Sequence, residues 1–198
     1  MRHADAGGQE TGLRVMTRPE IERASGNGLM LVFNARTGAP EALIVWARDR
    51  TKARAVAVDG FTIDIADTVD DLAARCNLIV TTTAARSALI RTEMIRPGTH
   101  VTAVGADAPG KQELDAALFA RAHVLAVDSR SQCIDHGDSA HAVNAGVPKD
   151  RFVELGEIIA SPNLGRTRED QITIADLTGL AIQDIEAAKL VCNAAHNQ

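Results

Sequence analysis

Apolar and polar positions follow two rhythms along this chain, and the change of rhythm divides it. From Val45 onward, short apolar runs alternate with stretches of helical period. "VWAR" reads as a strand and "TKARAVAVD" as a helix. "FTIDIA" alternates as a strand does, and "TVDDLAARC" opens on a Thr-x-x-Asp cap and reads as a helix. "NLIVTTT", the run from Val101 to Val104 and "HVLAVDS" read as buried strands, while "LIRTEMI" reads as a short helix that stops at Arg96-Pro97-Gly98. A helix is expected from Gln112, with Leu114, Ala117, Leu118 and Ala122 as its apolar positions. Further helices are expected from Arg130 to Asn144 and over "RFVELGEIIA". A loop at "SPNLGRTRED", a strand "ITIADL" and a long helix "AIQDIEAAKLVCNAA" finish the chain. That helix spaces Ile182, Ile185, Ala188 and Leu190 along one face. The β-α-β-α order with short connections predicts an α/β fold around a parallel, doubly wound sheet.

The first 44 residues have another rhythm. "LRVMT" is strand-like, "RPEIERA" begins a helix with Pro19 in its first turn, and "LMLVFNARTGAPEALI" reads as a hairpin. No turn residue separates the hairpin from "VWAR" at Ile44-Val45. Either one strand serves two sheets, or two strands are fused there.

Composition narrows the class. A chain of 198 residues can bury a real core, as one domain or two small ones. A net charge of −5 and the absence of any Lys/Arg run argue against nucleic acid or an acidic membrane as partner. The start, "MRHADAGGQETG", is polar and glycine-rich, without the apolar core of a signal peptide, and residues 1–12 are expected to be flexible. The longest apolar runs are too short to span a bilayer. Cys76, Cys133 and Cys192 are widely spaced and form no CxxC pair, which suits free thiols in a reducing cytoplasm.

Candidate chemistry starts at "HVTAVGADAPGKQELD". Gly105 breaks the strand, Pro109-Gly110 forces a turn, and Asp107 falls in the strand-to-helix loop between them. In an open α/β sheet that loop lies at the carboxyl edge, where ligands bind. Spacing alone favours a turn-forming or capping aspartate. "CIDHGDSAH" gathers Cys133, His136, Asp138 and His141, but the two histidines are five apart and no second cluster completes a ligand set. A polar helix at the rim of the domain is the better reading, and no metal site is expected.

The chain resembles the ornithine cyclodeaminase and mu-crystallin family. "VGADAPGKQELD" is similar to its signature loop, and "SGNGLMLVFNARTGAPEAL", "IVTTTAARSALI", "LGEIIA" and "ITIADLTGLAIQDIEAAKLV" are similar to family segments, in the family's order. "VWARDRTKA" with "DSRSQC" and "GDSAHA" is most similar to the ectoine-utilisation branch, whereas "PGKQE" is more like the main branch. The resemblance implies a Rossmann-like NAD(P)-binding domain coupled to a domain that forms the substrate pocket and a homodimer interface. It implies chemistry at the α-carbon of amino acids: cyclodeamination with loss of ammonia, imine reduction or dehydrogenation. By resemblance Asp107 is the catalytic acid/base, which shuttles protons to an amine or imine nitrogen and needs a raised pKa to do so. Lys111, Thr83 and the run Val101, Thr102, Ala103, Val104 match cofactor positions. Leu177 matches one that is often serine, and Ala108 and Thr178 match substrate positions. At the end of "VWAR", Ala47 stands where an acid would select NAD, and Arg48 follows, so the pattern leans towards NADP; Asp49 beside it weakens the lean.

The resemblance has two gaps. No G-x-G-x-x-G/A loop occurs anywhere in the sequence, so the backbone amides that hold a pyrophosphate are not encoded as a motif. The first Rossmann strand, that loop and the family's substrate-binding basic residues would fall at Ile44-Val45, and a second gap falls near Ala24-Ser25. The expected layout is therefore a remnant of the substrate and dimerisation domain over 13–44, an incomplete Rossmann-like domain over 45–165, and a C-terminal strand and helix over 166–198 that return to the first. Three readings stay open. The chain is an NAD(P)-dependent cyclodeaminase or ketimine reductase, a non-catalytic remnant, or a small-ligand-binding α/β protein. Cofactor binding is expected to be weak or lost.

Overall fold

A buried run of apolar residues must still pair its backbone N–H and C=O groups, so each run here is read by its ladder partner. The computed structural model describes residues 29–33, 40–56 and 63–196. The expected N-terminal strand and helix, the hairpin turn at Asn34 to Gly38 and the end of "TKARAVAVD" lie outside the described residues. Strands β1 (Leu29–Phe33) and β2 (Pro40–Val45) pair antiparallel, with Leu29 opposite Val45. The other edge of β2 pairs in parallel with β3 (Ile63–Ile65). The hairpin's second strand and the first strand of the α/β portion are thus one element, the middle of a three-stranded sheet. It ends at Val45, so Trp46, Ala47 and Arg48 follow the strand instead of forming it.

The main sheet has five strands, β4 (Leu78–Thr81), β6 (His100–Ala103), β8 (Val124–Val127), β9 (Phe152–Glu154) and β10 (Thr173–Asp176). Their order is β4-β6-β10-β8-β9, and every pairing is parallel, as a Rossmann-like α/β fold requires. The last strand in sequence, within the segment read as returning to the other domain, is the central strand of this sheet. All four residues of β10 are buried. β1 lies alongside β4 at the sheet's edge.

Helix α1 (Arg50–Arg54) follows β2, and α2 (Val69–Arg75) starts where the cap motif puts it, with Thr68 Oγ1 accepting from Asp71 N at 3.0 Å. Three expectations are corrected. β7 (Gln112–Leu114) pairs in parallel with β5 (Arg86–Ile90) where a helix was expected from Gln112, and the short helix expected over "LIRTEMI" shrinks to a 3-10 turn at Thr92–Met94, after β5 has taken its first two residues. Gln112 N donates to Ala85 O at 2.9 Å and Asp115 N to Ile90 O at 2.9 Å, so pairing across the fold overrides local period. Helix α3 (Ala116–Arg121) starts only after Asp115, whose carboxylate caps Ala117 N at 3.1 Å. The expected helix from Arg130 to Asn144 breaks at Gly137 into α4 (Arg130–His136) and α5 (Asp138–Asn144). A Cβ on Gly137 would sit 2.6 Å from Asp176 Oδ2, so only glycine fits. The third expectation, a helix over "RFVELGEIIA", resolves into β9 and the shorter α6 (Leu155–Ala160).

Phe119 and Phe152, both fully buried, meet at 6.3 Å between ring centroids in the core, each contributing about 1.5–3 kcal/mol by burial. The two faces of β2 pack differently: Ile44 joins the main core, while Val45 joins a smaller cluster with Ala47 and Ala53. The final helix, α7 (Ala181–His196), leaves Ile182, Ile185, Leu190 and Val191 at least half exposed. Among the described residues, no helix is long and apolar enough to cross a membrane.

Candidate functional site

The register of the main sheet aligns its strand ends. Thr81 is level with Ala103, Ala103 with Asp176, Asp176 with Val127 and Val127 with Glu154. The loops that leave these ends form one carboxyl edge. Asp107 and Lys111 lie there as an ion pair, with the Asp107 side chain 54% exposed and that of Lys111 23%. The chain turns between them because Pro109 and Gly110 suit a tight turn. Gly110 has φ +76°, and Lys111 N donates to Ala108 O at 3.2 Å. From α5, His141 Nε2 donates to the Lys111 carbonyl at 2.9 Å and fixes the turn's far end. An exposed carboxylate beside an ammonium can exchange protons with a ligand nitrogen at this edge.

Behind the loop lie three buried carboxylates. Glu113 is fully buried and accepts four hydrogen bonds: from Thr83 N (2.5 Å), Thr83 Oγ1 (2.7 Å), Thr81 Oγ1 (2.6 Å) and Gly105 N (2.8 Å). Asp138 Oδ1 accepts from Glu113 N at 2.9 Å and Leu114 N at 3.0 Å, while its Oδ2 is buried without a partner. Burial drives its pKa up to about 7, and the charge of Asp176 adds to the rise. Asp176 Oδ2 accepts from Ser139 N at 2.7 Å, and its Oδ1 is also unpartnered. Burial likewise raises its pKa, to about 6.

A second cluster surrounds Thr178. Asp128 Oδ2 accepts from Gly179 N at 2.7 Å and its Oδ1 from Cys133 Sγ at 3.1 Å, and Gln132 Nε2 donates to Thr178 Oγ1 at 2.9 Å. Burial pushes the Cys133 thiol up to about 12, so it is no nucleophile. His136 lies against Asp135 and His141 against Lys111, so the "CIDHGDSAH" side chains diverge.

The residues singled out from the sequence divide by position. Asp107, Ala108, Lys111, Thr83, Val104, Leu177 and Thr178 lie on the loops of the carboxyl edge. Val101 and Ala103 are fully buried in the core, so their side chains do not reach that edge. Thr102 is half-buried, with its Oγ1 3.0 Å from His100 Nε2. Leu177 N is taken by Ala103 O at 2.8 Å. Arg48 is exposed, on the loop after β2. Sequence reading missed Glu113 and Asp176, and weighed Asp138 only as a metal ligand on a rim helix, whereas it is fully buried. The only signal for Asp176 was a carboxylate inside the apolar run "ITIADL".

A dinucleotide pyrophosphate sits on free amides at a helix start, and among the described residues the starts of α1, α2 and α4 are capped by side chains. The α1 start is capped by the Asp49 carboxylate, which accepts from Thr51 N at 2.9 Å. That of α2 is capped by Thr68 and carries Asp70 and Asp71 in its first turn. That of α4 is capped by Ser129.

The ornithine cyclodeaminase/mu-crystallin family model matches residues 27–198. A protein of Sinorhizobium fredii named an uncharacterized cyclodeaminase is 42% identical over 153 residues, 74% of this chain and 46% of that protein. The iminosuccinate reductase of Paracoccus denitrificans is 37% identical over 66% of this chain and 40% of its own length. The crystal structure of the Paracoccus denitrificans iminosuccinate reductase in complex with NAD+ superposes with a TM-score of 0.72 and 33% identity, covering 79% of this chain and 49% of that one. The chain spans less than half the length of each of these relatives.

Proposed function

Because the chain belongs to the ornithine cyclodeaminase/mu-crystallin family, we propose that it serves NAD(P)-linked chemistry at the Cα–N bond of an amino acid or its cyclic imine, with Asp107 as the acid/base. The observation that carries this reading is the Asp107–Lys111 ion pair on an exposed loop of the aligned carboxyl edge. Asp107 would give a proton to, or take one from, the substrate nitrogen, and Lys111 would hold the carboxylate in place between transfers. Ala108 and Thr178, on neighbouring loops, would flank the substrate. Cyclodeamination and imine reduction both need this proton step. The ectoine-like segments point to a diamino-acid derivative as one substrate class.

For the nucleotide, Arg48, Thr83, Thr102, Val104, Lys111 and Leu177 offer contacts towards its two ends, with Arg48 leaning to NADP. With no glycine-rich phosphate loop in the sequence to cradle the pyrophosphate between them, affinity would be millimolar at best. In this layout 45–165 with β10 form the cofactor unit, and 13–44 with α7 belong to the substrate and dimer side.

The test is cyclic-imine reduction, followed by absorbance of NADH or NADPH at millimolar nucleotide. Slow, imine-dependent oxidation is expected, and Asp107→Asn should lower it by at least about 100-fold, the usual worth of a positioned acid/base. Equal turnover in Asp107→Asn, or no turnover by the native chain at any nucleotide concentration, would overturn the reading.

A further inference from the structure

The carboxylate of Glu113 joins loops that the sequence keeps apart. Its Oε1 accepts from Thr83 N and Thr83 Oγ1, on the loop after β4. Its Oε2 accepts from Thr81 Oγ1, at the end of β4, and from Gly105 N, at the start of the loop after β6. Two bonds per oxygen fill the acceptor sites of an ionised carboxylate. The loop that carries Asp107 and Lys111 runs from the end of β6 to the start of β7, whose second residue is Glu113, so the bond from Gly105 N to Glu113 ties the two ends of that loop together. The approach is close: a Cβ on Gly105 would lie 2.1 Å from Thr83 O and 2.5 Å from Glu113 Oε1. Behind it, Asp138 Oδ1 holds the Glu113 and Leu114 amides, so both the backbone and the side chain of Glu113 are fixed.

Stable pairing of β4 with β6 does not require this arrangement, since their ladder runs from Leu78–His100 to Thr81–Ala103 without it. What the carboxylate adds lies beyond the strand ends, where the two functional loops begin. We propose that Glu113 is the positioning residue that sets the separation of Thr83 from the Asp107–Lys111 loop, a role that rests on the acid/base reading of Asp107. The carboxylate touches no reacting atom. It acts by holding Gly105 and Thr83 against one anchor, so that Asp107 has one place relative to whatever the Thr83 loop contacts.

The experiment compares Glu113→Gln in the full chain with Phe119→Leu, a core change remote from these loops. Two readouts are taken, amide hydrogen exchange and imine turnover. In Glu113→Gln, the Gly105 and Thr83 amides should exchange at least about tenfold faster, as expected for the loss of a charge-assisted bond. Amides of β8 and β10 should keep native rates. Turnover should fall by at least about tenfold, with the effect in kcat rather than in the imine KM, because the acid/base is displaced while contacts to the imine remain. Phe119→Leu should raise exchange throughout and leave kcat near native. If Glu113→Gln does not fold, Thr81→Val removes one donor at constant shape and should shift Gly105 exchange in the same direction. Unchanged Gly105 exchange, or a change spread as widely as in Phe119→Leu, overturns the proposal. If the native chain shows no turnover, the acid/base reading falls, while exchange at Gly105 still decides whether Glu113 holds the loop.

Discussion

Asp138 should make the fold lose stability as pH rises towards 8. Its carboxyl is fully buried, has one oxygen without a partner, and has a pKa raised from 3.8 to about 7, chiefly by burial. The folded chain therefore keeps a proton that the unfolded chain releases between those pH values. The stability this proton confers is complete below about pH 4 and is lost as pH rises through about 7. A rise of about three pH units, at ~1.4 kcal/mol each, amounts to about 4 kcal/mol. That is a large share of a typical domain's net stability. Asp176, raised to about 6 by burial, acts in the same direction and keeps a smaller slope alive when Asp138 is replaced. Asp138→Asn keeps an acceptor for the Glu113 and Leu114 amides and places an uncharged NH2 where Oδ2 has no partner. At pH 8 the variant should be more stable than the native chain by ~2–4 kcal/mol, and at pH 4.5 the two should agree within ~1 kcal/mol. Urea unfolding at both pH values, with equal m-values, measures this directly. Native stability that rises between pH 5 and 8, or a variant weaker than native at pH 8, would refute the assignment of a raised pKa to this buried acid.

Two other outcomes are expected. Trp46, the only tryptophan, precedes Arg48 by two residues and packs against the core, so its emission reports on a nucleotide docked at the end of β2. Without a glycine-loop motif in the sequence, two or three charge-assisted bonds to pyrophosphate would be lost, at ~1.5–3 kcal/mol each, and titration with NADH or NADPH should show no saturable quenching below about millimolar. Tight, saturable quenching would mean that a phosphate cradle exists outside the motif. The apolar residues of α7 should drive self-association, so the chain should sediment as a dimer or larger at tens of micromolar, by order of magnitude for such an interface. Leu190→Glu, at a position 70% exposed, should yield monomer; a native chain already monomeric there would remove the interface.

Four strands of the main sheet, β4, β6, β8 and β10, were legible because each is a short apolar run, whereas β9 was hidden inside an expected helix; α2 was legible because Thr68 announces its start. The exposed apolar face of α7 was also visible in its spacing. The small sheet of β5 and β7 was not. Gln112-Glu113-Leu114 is a strand only because Arg86–Ile90 lies beside it and Asp138 holds two of its amides, and both partners are remote in sequence. The break at Gly137 was hidden for a like reason, since the atom that excludes a Cβ belongs to Asp176. Within the site, Asp107 and Lys111 could be named from their turn and their resemblance. Glu113 could not, because in "PGKQELD" a glutamate reads as solvated, and only the fold brings four donors around it.

β2 has a consequence for how such a chain can gain or lose sequence. Along a strand with one wet face, removing a single residue exchanges inside for outside over everything that follows. At Leu43, Ile44 and Val45 that penalty is absent. All three are at most 5% exposed, and Ile44 and Val45 feed separate clusters on opposite faces. Any apolar residue serves either side there, so a splice of even or odd length preserves the pattern. A strand covered on both faces is thus a natural seam, where segments of different origin can be joined without a turn and still pair on both edges, as β2 does with β1 and β3.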